Sequence, residues 1–138
     1  MNVELEYSNN LNFKAKTRQF QDILIDEPKS FHGNDLGPSP VEYFLIGVGG
    51  CVSSTFVYCL KKKGIKIESM NVLVDGKLKH KEPSMYLRIK EINIEIKYSL
   101  KGDYTPETLK KCEKEFIKYC PLYEPLINGI NISIVLKK

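Results

Sequence analysis

At 138 residues the chain is long enough to bury a sizeable core without disulfides or metals, and one domain over 1–138 is the simplest organisation. With 42% hydrophobic and 28% charged residues, no run of eighteen apolar residues, and an N-terminus (Met1–Tyr7) lacking the features of a signal peptide, a cytoplasmic protein with no membrane partner is expected. The net charge of +4 comes mainly from scattered lysines; Lys61–Lys63 and Lys77–Lys81 lack interleaved aromatics and arginines, so they read as a solvated helix end and a solvated hairpin, with no nucleic-acid partner.

Residues 2–7 and Leu11–Lys16 alternate apolar and polar side chains around a Ser8–Asn10 turn, the signature of a β-hairpin. Arg18–Ile25 supplies a third strand. Asp26–Pro40, rich in Gly, Pro, Asn and Asp, is the longest irregular segment and leads into a long helix. Ser39 suits its N-cap, Pro40 its first turn and Gly64 its stop. Apolar residues at 41, 44, 45, 48, 52, 56, 59 and 60 recur at helical spacing, and those at 46 and 57 widen the apolar surface, which predicts a buried helix. Gly47, Gly49 and Gly50 each cost about 0.5 to 1 kcal/mol relative to Ala in a helix interior, a cost that close approach of another backbone would offset. Cys51 lies just after them, as inert core or as a reactive group in a crevice.

Ile65–Asp75 and Tyr86–Tyr98 read as two long strands joined by a connection, Gly76–Met85, that extends the hairpin. In the second strand the apolar phase shifts from 87 and 89 to 92, 94 and 96, which predicts a bulge near Glu91. Thr105–Tyr119 is an amphipathic helix with Thr105 as N-cap, Pro106 at its first position, and Leu109, Cys112, Phe116 and Tyr119 on one face. Cys120–Gly129 reads as a short turn of helix, and Ile130–Leu136 as a closing strand. The order β-β-β-α-β-β-α-β is an α+β fold with antiparallel sheet.

Four cysteines stand at 51, 59, 112 and 120. There is no C-x-x-C, and His32 and His80 are far apart in sequence, so neither a metal nor another cofactor is expected. Cys59 and Cys112 occupy apolar helix positions and read as core thiols, since stable disulfides are not expected in the cytosol. A reactive cysteine works as thiolate. Cys51 lies about three turns into its helix, beyond reach of the dipole, so its activation requires a cation such as Arg18 or a lysine. Cys120-Pro121 suits the start of a new turn, with Pro121 at N1 and free N–H groups favouring an anion. Both residues are open to a core reading; if the fold joins them, a reversible disulfide follows.

The stretch Gly37-Pro-Ser-Pro-Val-Glu-Tyr-Phe-Leu-Ile-Gly-Val-Gly-Gly-Cys51, with the later Cys120-Pro121, resembles the OsmC/Ohr family of osmotically induced and organic-hydroperoxide-resistance proteins. The resemblance implies an intertwined homodimer with antiparallel sheets wrapped around long central cysteine-bearing helices. It also implies a thiol-dependent peroxidase that reduces organic hydroperoxides or hydrogen peroxide and is recharged by a dithiol reductant. Cys51 matches the peroxidatic cysteine and Cys120 the resolving one. Arg18 is the candidate activating cation and Glu42 the candidate carboxylate to orient it. The family's hydroperoxidases carry that Glu ten residues before the reactive cysteine, where this chain has Val41; Glu42, nine before, lies roughly 180° around and about 13 Å along an ideal helix from Cys51. This departure points to the OsmC-like branch. The alternative function is a non-enzymatic protein that binds a small apolar ligand and keeps its thiols reduced.

Overall fold

Alternation of apolar and polar side chains folds the first residues into an antiparallel meander in the computed structural model, which describes residues 1–84 and 86–137. Strands β1 (Glu4–Asn9), β2 (Asn12–Thr17) and β3 (Phe20–Ile25) pair in that order, with Leu5 opposite Ala15 and Phe13 opposite Ile25. The third strand starts later than the alternation predicts. Thr17 pairs with Phe20, so Arg18 and Gln19 form the turn between them, with Arg18 in the left-handed region at φ 53°.

The following loop is organised by Asp26, which is fully buried. Its carboxylate accepts the backbone N–H groups of Glu27 at 2.9 Å, Asn34 at 3.3 Å and Leu36 at 3.2 Å, so its charge is met by a shell of donors. The loop folds so tightly that a Cβ at Gly33 would overlap the Glu27 backbone.

Helix α1 (Pro40–Lys62) begins with a reciprocal cap. The Ser39 N–H and hydroxyl donate to Glu42 Oε2 at 2.7 and 2.9 Å, and the Glu42 N–H donates to Ser39 Oγ at 3.3 Å. Tyr43 Oη donates to the Leu24 carbonyl at 2.8 Å and ties the first turn to β3. Two compact units divide the chain, residues 1–46 and 47–138, and α1 runs through the division.

In the second unit β4 (Lys66–Lys81) and β5 (Tyr86–Lys101) form a long antiparallel hairpin. Lys77 pairs with Glu91 and Leu78 with Ile89, so Lys90 is the extra residue of the bulge that the phase shift predicts. The hairpin extends through much of the expected connection; Met85, within that connection, lies outside the described residues. Helix α2 (Pro106–Glu115) is capped by Thr105, whose side chain accepts the Thr108 N–H, and passes into a 3₁₀ turn over Phe116–Tyr119. Helix α3 (Tyr123–Asn128) follows. The core gathers Phe56, Leu60, Ile65 and Cys112, with Met70, Ile96, Tyr98 and Phe116 packed around them. The Phe56 ring meets Tyr98 at 5.0 Å and Phe116 at 4.9 Å between centroids.

Four expectations need correction. First, α1 is not buried all round: Val48, Val52, Phe56 and Leu60 form one buried stripe, while Ile46 and Tyr58 are exposed, Tyr58 by 65%. By length and mean hydropathy (1.6) it passes for a membrane span, yet its Phe56 and Leu60 face carries the core. Second, Tyr119 leaves the shared face of Leu109, Cys112 and Phe116 and is exposed, because 3₁₀ winding turns about 120° per residue where the α-helix turns about 100°. Third, a turn at Pro121–Leu122 separates Cys120 from α3, so Pro121 is not that helix's first residue. Fourth, residues 130–136 form no strand, because among the described residues no strand is paired with them.

Candidate functional site

The core that aligns α1 with α2 also sets the position of the cysteines. The Phe56–Phe116 contact and the buried Cys112 hold the end of α2 against α1, and the chain then turns so that Cys120 arrives beside Cys51. The two sulfurs stand 3.5 Å apart although the residues are 69 positions apart in sequence, with the Cys120 thiol donating to Cys51 Sγ. Cys120 is buried and Cys51 half-buried; both are free thiols.

The electrostatics around Cys51 favour the thiol. Burial pushes its pKa above the ordinary 9.0, and its hydrogen bond and proximity to Cys120 add to the rise. Only the Leu122 backbone N–H acts in the opposite direction, by favouring the thiolate. Among the described residues no cation is a cause of the shift. The neighbouring hydroxyls are turned inward on the helix: Ser53 Oγ donates to the Gly49 carbonyl at 2.6 Å and Thr55 Oγ1 to the Cys51 carbonyl at 2.8 Å.

Cys51 opens onto a groove of about 870 Å³. Thr55, Tyr58 and Cys59 continue its wall along α1, and Lys62, Lys63 and Lys111 line it as well. Cys59 and Cys112, read from the sequence as core thiols, form a disulfide with their Cα atoms 5.9 Å apart. The sequence placed each on an apolar helix face; what it could not supply is that α1 and α2 pack with these two faces together. Among the described residues no group of three His, Cys, Asp or Glu side chains is arranged to hold a metal ion.

Arg18 and Glu42 belong to the first unit, Cys51 and Cys120 to the second. The Arg18 guanidinium lies over the Phe20 ring, 5.2 Å from its centroid. The Glu42 carboxylate is engaged by the cap, and its hydrogen bonds from the Ser39 backbone and side chain hold its pKa below the ordinary 4.5. The signal for that role was present in the sequence as Ser-x-x-Glu at 39–42, a capping-box spacing.

A family model described as OsmC-like protein matches residues 32–135. Among solved structures, the chain is similar to an OsmC-like protein from Mycoplasma pneumoniae at 22% identity and a TM-score of 0.74, covering 94% of this chain and 87% of that one. It is similar to a hypothetical protein from Aquifex aeolicus at 28% identity and a TM-score of 0.67, covering 94% and 89%. An organic hydroperoxide resistance protein of Bacillus subtilis shares the fold at 15% identity and a TM-score of 0.61, covering 99% and 96%. A search of curated proteins found no match.

Proposed function

The chain belongs to the OsmC-like family, and on that premise we propose that it is a cytoplasmic, thiol-dependent peroxidase acting on organic hydroperoxides or hydrogen peroxide. One observation carries this reading: two free thiols far apart in sequence stand with their sulfurs 3.5 Å apart, and one of them, Cys51, lines a groove that can admit a small substrate. The Cys51 thiolate attacks the O–O bond, the distal oxygen stays on sulfur as a sulfenic acid, and an alcohol or water leaves. The Cys120 thiol then condenses with the sulfenic acid, releasing water and forming a disulfide that a dithiol reductant reopens. In the functional assembly, a homodimer, Arg18 supplies the cation that Cys51 lacks in the single chain. Glu42 orients that guanidinium through the carboxylate oxygen not held by Ser39.

A second reading is favoured by a different observation. The raised pKa of Cys51 and the size of the groove suit a protein that binds a small apolar ligand and keeps its thiols reduced. One experiment separates the two: mass spectrometry after stoichiometric hydroperoxide, alongside peroxide consumption by wild type and Cys51→Ser. The peroxidase reading expects a Cys51–Cys120 disulfide in wild type and loss of consumption in Cys51→Ser. Equal consumption by the two proteins would sink it.

A further inference from the structure

The four cysteines fall into two bridges between the same two segments. Cys51 and Cys59 are eight positions apart on α1, and Cys112 and Cys120 are eight positions apart on the segment that starts in α2. Cys51 faces Cys120 and Cys59 is bonded to Cys112, so the pairs form rungs separated by about 12 Å along α1 at 1.5 Å per residue. Only the first rung belongs to the peroxidase chemistry proposed above.

The second rung differs in surroundings. Cys112 is 1% exposed and lies in the core, whereas Cys59 lines the groove that also reaches Cys51. The cations of the groove cluster at this rung: Lys62 and Lys63 follow Cys59 by three and four residues, one turn on, and Lys111 adjoins Cys112. The lining also holds one carboxylate, Glu115, three residues after Cys112, so an incoming thiolate meets three lysines against one acid in the groove that Cys59 lines.

We propose that Cys59–Cys112 is a second redox-active pair, opened from the shared groove by a small dithiol, and that its closed form holds the segment carrying Cys120 within resolving distance of Cys51. In the opening step a thiolate of the dithiol attacks Cys59 Sγ, and the Cys112 thiolate leaves and takes up a proton. The second thiol of the dithiol then displaces Cys59 from the mixed disulfide. Two electrons pass to the protein and the dithiol departs as its own disulfide; closure is the reverse exchange with that oxidised form. The use of the positioning role in turnover rests on the peroxidase reading, where the distance between Cys51 and Cys120 governs resolution of the sulfenic acid. With the second rung open, α2 is held to α1 by packing alone, and the effective concentration of Cys120 at Cys51 falls.

The test is a redox titration of the native wild-type protein against defined ratios of reduced and oxidised dithiothreitol, with each cysteine pair followed by alkylation and peptide mass spectrometry. The expected result is reversible opening of Cys59–Cys112 in the folded state. A pair that opens only in denaturant overturns the proposal. Diamide, an oxidant that needs no peroxidase activity, then drives Cys51–Cys120 closure in wild type with its second rung closed and in Cys59→Ser/Cys112→Ser, both at a temperature where circular dichroism shows native structure. Closure roughly tenfold slower in the double variant is expected from the lost tether, and equal rates overturn the positioning role. A peroxide-inactive protein in which both thiol measurements come out as expected would refute the peroxidase reading and leave the second redox pair standing.

Discussion

Replacing Gly47, Gly49 and Gly50 one at a time by Ala tests the geometry of α1, because the structure sets Gly49 apart from the other two. A Cβ at Gly49 would collide with Val74 Cγ2 on β4, whereas a Cβ at Gly47 or Gly50 would meet nothing within 4 Å. Ala gains about 0.5 to 1 kcal/mol over Gly from helix propensity at any of these positions. At Gly49, overpacking against a β-branched side chain costs about 1 to 3 kcal/mol, leaving a net loss on the order of 0.5 to 2 kcal/mol. At Gly47 and Gly50 only the gain remains in the isolated chain, so its melting temperature rises by roughly 2 to 4 °C for each.

Urea and thermal unfolding at low protein concentration measure these signs. Sedimentation velocity at higher concentration measures the other half of the argument. If the open glycines admit the helix of a second copy in the proposed homodimer, Gly47→Ala and Gly50→Ala raise the dimer dissociation constant while stabilising the monomer. Gly49→Ala as stable as wild type would refute the close approach of β4. Unchanged dimerisation in both other variants would remove Gly47 and Gly50 from the interface.

Two further outcomes follow from groups with shifted pKa values. Glu42 has a folded pKa lowered from 4.5 by its hydrogen bonds to Ser39, so its contribution to stability is fully present above that value and is lost as pH falls through the lowered one. The stability difference between wild type and Glu42→Gln, followed by urea unfolding across the acid range, should shrink with falling pH; a constant difference contradicts the cap as its source. Burial raises the Cys51 pKa above 9.0 in the single chain, so alkylation by iodoacetamide should show a midpoint above that value in dilute monomer and a lower one in the assembled protein. Arg18→Ala should return the assembled protein to the higher midpoint, and a midpoint that ignores this substitution removes Arg18 as the activating cation.

Local chemistry was legible because each signal acts over a few residues. Pro40 and Pro106 sit at helix starts, Gly64 takes the left-handed conformation after α1 at φ 74°, and a phase shift in alternation locates the bulge at Lys90. Arg18 escaped because no signal marks a two-residue turn there: arginine is not a residue that favours positive φ, and the meander imposes it. The proximity of Cys51 to Cys120 entered through a resemblance, and the Cys59–Cys112 bond did not enter at all. Both depend on how α1 and α2 pack, a fact that no periodicity along one element contains. Glu42 is the opposite case, since its cap is a local signal, Ser-x-x-Glu at 39–42, carried within four residues of sequence.

What the single chain leaves exposed bears on what completes it. Ile130, Ile132, Ile134 and Leu136 alternate as a strand should, yet they are 67%, 80%, 82% and 93% exposed. Such a segment gains stability as a strand from ladder hydrogen bonds and cross-strand packing, and among the described residues no strand pairs with it. On α1, the side opposite the core presents Ile46 and Tyr58 to solvent beside two glycines with open space above them. Each feature alone has ordinary explanations; together they leave one chain with an alternating apolar segment and apolar residues of α1 both exposed. In the proposed homodimer a second copy would bring a sheet edge to the one and an identical helix face to the other. The homodimer proposed above would give the exposed segment, the open glycines and the activation of Cys51 one common explanation.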